Sequence, residues 1–355
     1  TDQATISAPQ LQISANNLSN RQGSIKQTGP TPLALTLPGS IDNTGGNIAS
    51  NSNRLDIAAD RLTNDGGVIQ HAGSDLLKIQ TPHLQNLGGN ISTAGNGQLN
   101  TAKLDNSGMV YALKNLDLQV TGELKNTSPR GVIAAKGNTE IHAQNIVHGQ
   151  GSTIAAGIGL DGQVVRPANT DSAQLKPTTT GDQQLKGNIF AAGNTHLTAQ
   201  NIGIDGQLMS GGALDVASRG NIHLNGSSQS GGNSQFKAGQ NIHQTGSMTS
   251  GGNTDMQGQA LMLGGNSRTT GNSTLKGTHI SLTGNYNTSA HLDINSSDEL
   301  HISGELTSGG NANMQGQALI LSGNTRIGGN STLKGDNISL SGTYRGTGNL
   351  DINST

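Results

Sequence analysis

Residues 251–295 and 309–353 match at 29 of 45 positions, and each stretch is itself built from shorter units. GGNTDMQGQALMLGGN returns as GGNANMQGQALILSGN, GNSTLKG recurs unchanged 58 residues later, and the LDIN at 292 recurs at 350. Self-similarity this close commits a chain to a repeat architecture, in which each unit leans on its neighbours.

Columns of apolar residues lay out the second half. Leu197, Val216, Phe236, Met256, Leu275, Ile294, Met314, Leu333 and Ile352 follow one another at 19 or 20 residues. Five or six positions after the first eight of these stands a second column, Ile202, Ile222, Ile242, Leu261, Ile280, Leu300, Leu319 and Ile338, expected to form the core. Two residues further on come Ile204, Leu224, Leu263, Leu282, Ile302, Leu321 and Leu340, with Gln244 breaking the row. Four residues after each member of the second column a glycine recurs, from Gly206 to Gly342. The I-x-L alternation predicts strands with one buried face. Gly and Asn between them are expected to supply the positive-φ corners. A leucine-rich repeat would need helix formers on its return, where this chain has Gly, Asn, Ser and Thr. The reading is therefore all-β, a parallel β-helix (β-solenoid) of about 17 turns, roughly 80 Å of strand spacings.

The first half repeats with a different corner, L-x-N. Its asparagines are Asn20, Asn43, Asn64, Asn86, Asn106 and Asn126, 20 to 23 residues apart and mostly followed by Gly or Gly-Gly. They are expected to stack as a ladder of side-chain amides, or, failing that, to tolerate a left-handed backbone. The period lapses between Ile146 and Ile202. The excess falls at about 160–183, where Pro167, Pro177 and the run Thr178–Thr180 suggest a loop thrown out from the coil. This divides the chain into a β-helix over 1–157, a turn with an extended loop over 158–192, and a regular β-helix over 193–355.

Composition agrees with a thin core. There are 53 glycines, while aromatic residues make up 1% of the chain and charged residues 12%. One turn alone would spend on the order of 20–40 kcal/mol of backbone entropy, against about 1.5–3 kcal/mol for each inward apolar side chain. Stacking must supply the difference. The net charge of −2 without a basic run gives no footprint for nucleic acid or anionic lipid. No apolar stretch approaches the roughly 20 residues needed to cross a bilayer, so no membrane insertion is expected. Cysteine is absent, which removes disulfides and suits folding outside a reducing cytosol. The start at Thr1 shows no secretion signal, so the chain reads as an internal piece of something longer.

The L-x-N-x-G-G-x-I units, the I-A-A-G strand ends and the G-G-N/D-x-x-L-x-A/G-x-x-I-x-L-x-G turns resemble the haemagglutinin repeats of two-partner-secreted exoproteins. These include the filamentous haemagglutinins, the HecA-type adhesins and the CdiA proteins of contact-dependent growth inhibition. The resemblance implies a right-handed β-helix, export from a Gram-negative cell through an outer-membrane transporter, and a place on the cell surface. It also implies a role as a stalk that delivers a toxin or, alternatively, as an adhesin contacting a target-cell receptor, for which the 160–183 loop is the expected contact. The N-P-N-L type secretion motif and the V-E-N-N boundary of that family are not found in this stretch.

Other sites weigh less. Parallel β-helices host polysaccharide lyases and hydrolases, which need converging carboxylates. Here Asp56, Asp60, Asp65 and Asp75 lie in one region, and Asp293, Asp298 and Glu299 in another. An exposed strand pair is the expected meaning of Asp298-Glu299, and no catalytic residue is assigned. His223, His243 and His301 share one outward slot, so a solvated face is expected and no metal or cofactor is assigned. Tyr111, Tyr286 and Tyr344 are too few to line a glycan groove. The N-x-S/T triplets at Asn17, Asn90, Asn225, Asn272, Asn295 and Asn330 are what frequent Asn, Ser and Thr produce by chance.

Overall fold

The protein is described by a computed structural model over residues 2–164 and 173–354. Among these residues there is no helix. The chain is all-β, and its strands stack in parallel as the solenoid read from the repeats. It divides into two compact units, Thr1–Asn194 and Thr195–Thr355.

In the first unit nine short strands, from Thr5–Ala8 to Asn188–Ala191, form one face, each paired in parallel with the next. Their inward column starts at Ile6, exposed on the first strand, and continues through Ile25, Ile48, Ile69, Ile91, Val110, Ile133, Ile154 and Ile189, none of these eight more than 1% exposed. β-Branched side chains suit this pleated, fully covered position. The opposite face includes strands of ten or eleven residues, Leu76–Asn86, Asn96–Asn106, Leu116–Asn126 and Thr139–His148. Two of their pairings shift register, between Thr101 and Leu104 and between Val120 and Glu123, which bends the strand where a corner is needed.

The second unit makes the same circuit with three shorter strands per turn, for example Ser234–Ala238, Asn241–Gln244 and Ser247–Ser250. Eight strands from Gln207–Ser210 to Thr343–Gly346 form one face. Nine turns and eight agree with the 17 anticipated. The predicted core column is in vertical register: Ile202 pairs with Ile222, Ile222 with Ile242, Ile242 with Leu261, and so on to Ile338. Ile202 to Leu319 are at most 1% exposed. Ile338 is only half-buried, and Leu340 and Ile352 are exposed. Among the described residues these last strands have a paired turn on one side only.

The corner glycines work differently from the expectation. Positive φ occurs at Gly45, Gly66 and Gly88 in the first unit, but among the described residues at no glycine of the second and at none of the ladder asparagines. In the second unit the reason is crowding. A Cβ on Gly226, Gly246, Gly265, Gly284, Gly304, Gly323 or Gly342 would be driven into the carbonyl oxygen of the glycine one turn earlier. Backbone stacks on backbone at this edge, and no side chain fits between.

The segment between the repeat styles also differs from the loop anticipated at 160–183. Leu175–Thr179 and Gln183–Leu185 are strands, paired in parallel with Thr139–His148, so Pro177 and Thr178 lie in the sheet. Of the anticipated loop, residues 165–172, including Pro167, lie outside the described residues.

Candidate functional site

Three lines of polar side chains and one exposed column carry what chemistry the solenoid offers. In the first unit, Nδ2 of Asn20, Asn43, Asn64, Asn86 and Asn106 each donates to Oδ1 of the asparagine one turn on, at 2.7–2.8 Å. The same amides reach backbone carbonyls of their own turn and the next, as Asn64 does to Gly67 and Asn90. All six asparagines are at most 2% exposed. A buried amide needs partners for its donors and acceptor, and a stack of identical turns supplies them at every level.

The line ends on His148. Asn126 Nδ2 lies 3.4 Å from His148 Nδ1, and Ser152 Oγ lies 2.8 Å from the same nitrogen. His148 Nε2 faces the Asn188 carbonyl at 3.2 Å. A carbonyl only accepts, so Nε2 carries the proton and Nδ1 is left to accept from Asn126. Burial opposes a charged ring and lowers the His148 pKa to about 4. His71, buried between Ser52 O and Thr93 Oγ1, is lowered for the same reason.

Two further lines went unnoticed in the sequence. At the outer corner of the second unit, Oδ1 of Asn233 accepts from the Asn253 amide, Asn253 from Asn272, and Asn272 from His291, at 2.8–3.1 Å. His291 Nδ1 takes the acceptor role toward Asn311, which continues the line through Asn330 to Asn349. Inside, Ser210, Ser230, Ser250, Thr269, Thr288 and Ser308 stack in register as a buried hydroxyl column. Thr288 donates to Gly271 O at 2.7 Å and Ser308 to Ala290 O at 2.8 Å. The recurring G-N and S-G-G groups were the available signal. Gln244, which interrupts the leucine row, is buried and satisfied by Gly246 O and Ser267 Oγ.

The excursion after Ala156 lies against the coil. Tyr111, Ala134 and Ala155 form an outward column, yet each is at most 3% exposed because Ile158 packs on them with Met109, Val132 and Phe190. Tyr111 Oη donates to Ile158 O at 3.0 Å. Ile158 and Val164 close a small antiparallel hairpin that leaves Leu160 and Val164 at 62% and 50% exposure. Tyr286 points inward and is buried, and Tyr344 bonds to Ser331, so the tyrosines make no stacking surface.

The acidic candidates stay apart. Asp56 is held by Arg54 at 2.8 Å, and Asp298 lies 3.6 Å from His279 on an exposed face. Among the described residues no three of His, Asp or Glu converge. An open groove of about 420 Å³ runs over Leu76, Asn96, Gln98, Asp117 and Glu140. His223 and His243 are direct neighbours, with ring centroids 6.0 Å apart and planes at 86°, and His301 lies three turns beyond His243 in the same column.

No family model matches the chain, and no solved structure does. Two curated relatives are named Toxin CdiA. The one from Yersinia pestis is 26% identical over 292 residues, covering 62% of this chain and 9% of its own length. The one from Escherichia coli is 29% identical over 206 residues, covering 55% of this chain and 6% of its own. The chain thus spans less than a tenth of the relatives it matches. Recurring motifs, a parallel β-solenoid and these two similarities together fit a shaft of the CdiA and filamentous-haemagglutinin type.

Proposed function

We infer that this chain is a length of the extracellular shaft of a large CdiA-like exoprotein, holding an adhesive or toxic domain away from the bacterial surface. The observation that supports this is the closure of each unit along one direction. Neighbouring turns are fixed by parallel pairing, by an amide line within each unit and, in the second, by the glycine edge, so reach scales with the number of turns. Its dispersed carboxylates suit a passive role without a catalytic centre. The partners on this reading are an outer-membrane transporter, engaged by other regions of the exoprotein, and a receptor on the target cell.

Deleting residues 251–308 from the whole exoprotein removes one 58-residue unit and rejoins matching sequence. Export and surface display should persist, and delivery to a target should change only through the shorter reach. Loss of delivery from a displayed protein whose reach is restored elsewhere would contradict the passive role. A second reading, direct adhesion, is favoured by the exposed Leu160 and Val164 on the 158–164 hairpin. Binding of the purified chain to target cells, abolished by Leu160→Ser with Val164→Ser, would select it.

A further inference from the structure

The outward column that carries His223 and His243 continues, on the next turn, with Met262. His223 pairs in register with His243, and His243 with Met262. The three side chains therefore rise from consecutive parallel strands, about 4.8 Å apart, on one face of the second unit. His223 is exposed, His243 is half-buried, and Met262 is 42% exposed although it is a thioether among polar groups.

The two rings are close enough to share an ion. Their centroids lie 6.0 Å apart with planes at 86°, edge to face. Turning one exposed ring about its side-chain torsions brings a nitrogen of each to about 2.0 Å from one ion. Two imidazole nitrogens are borderline ligands that suit zinc or copper, and the thioether sulfur adds a soft one. Thioethers favour monovalent copper, whereas carboxylates and carbonyls suit harder cations. We propose that His223, His243 and Met262 form a surface site for a copper(I) ion, bound through two imidazole nitrogens and one thioether.

The chain carries its own control. Fifty-eight residues on, the matching column reads Ser281, His301 and Ile320, again on consecutive turns. One of the three ligands survives there, so that column should hold no copper. All of these side chains lie on the outward face, so changing them leaves the core and the amide lines intact.

The test uses the full chain under argon with copper(I), in competition with a chromophoric copper(I) chelator. One equivalent should be retained, and X-ray absorption should show a sulfur in the copper shell. H223A and H243A should each lose retention. M262L should remove the sulfur signal and weaken binding at least as much as the roughly 10–100-fold seen when a ligand's support is disturbed. The double variant S281H/I320M should gain a second equivalent. Failure of the unaltered chain to compete, retention undiminished in H223A and H243A, or a copper shell without sulfur would each overturn the assignment. Circular dichroism of each variant separates loss of ligand from loss of fold.

Discussion

Asn126 offers its side-chain amide to Nδ1 of His148 at 3.4 Å, and at that contact the asparagine line passes to a titratable ring. A neutral ring accepts there. A protonated ring would set one donor against another and place a charge where burial opposes it.

Stability should therefore fall with acid. The His148 pKa is about 4 when folded, against about 6.5 unfolded. A depressed value means that the unfolded chain takes up the proton first. The contribution is then fully present above about pH 6.5 and is lost as pH falls toward 4, up to about 3 kcal/mol. His71, also depressed, adds a term of the same sign. Urea midpoints between pH 7 and 4 measure the slope. His148→Asn, which offers an Oδ1 to Asn126, should flatten it, and an unchanged slope would refute the role given to His148.

Within the line, removing one member takes a buried acceptor's donor away. Asn64→Ala leaves Asn86 Oδ1 without its donor in the line, while Asn43 Nδ2 keeps the carbonyls of Gly46 and Val68. A cost of about 1–3 kcal/mol is expected. Asn64→Asp should cost more, because a carboxylate would face the carbonyls of Gly67 and Asn90 that now accept from the amide. Chemical denaturation of the two variants checks the order.

Two kinds of glycine should respond oppositely to exchange. Gln22 holds φ 52° in the slot filled by Gly45, Gly66 and Gly88 in the following turns. Gln22→Gly should stabilise by about 0.5–1 kcal/mol through relief of left-handed strain. Gly246→Ala, at negative φ but facing the Gly226 carbonyl, should destabilise by more than about 2 kcal/mol. Melting curves of the pair decide whether conformation or crowding governs each corner.

The described part of the excursion, 158–164, is tied to the coil by Tyr111 Oη and the packing of Ile158, so it should open locally. Tyr111→Phe removes the bond to Ile158 O and should cost about 1 kcal/mol. The readout is faster proteolytic nicking at 158–164, with the melting of the remainder little changed.

What the sequence revealed followed from spacing. An apolar residue every 19–20 positions, with alternation on either side, fixes which side chains face inward, and Ile222, Ile242 and Leu261 duly stack. The L-x-N asparagines were legible because an amide recurring beside glycines has few other uses in a repeat. Contacts that depend on packing between turns were not legible. Nothing in the string GIGLDGQV signals that Ile158 covers Tyr111, since that contact joins residues 47 apart. Nor does a glycine codon distinguish Gly66, chosen for its φ, from Gly246, chosen for the backbone beneath it. The outer line through Asn253 and Asn272 was visible as a motif, but its purpose appears only once Oδ1 is seen to meet the next turn's amide.

The most direct measurement is length. Electron microscopy of the purified chain, with and without residues 251–308, compares the extent along the stacking direction. Three turns at about 4.8 Å should shorten it by roughly 14 Å and leave the width unchanged. An unchanged length, or a particle that shrinks equally in every direction, would contradict a solenoid whose reach is counted in turns.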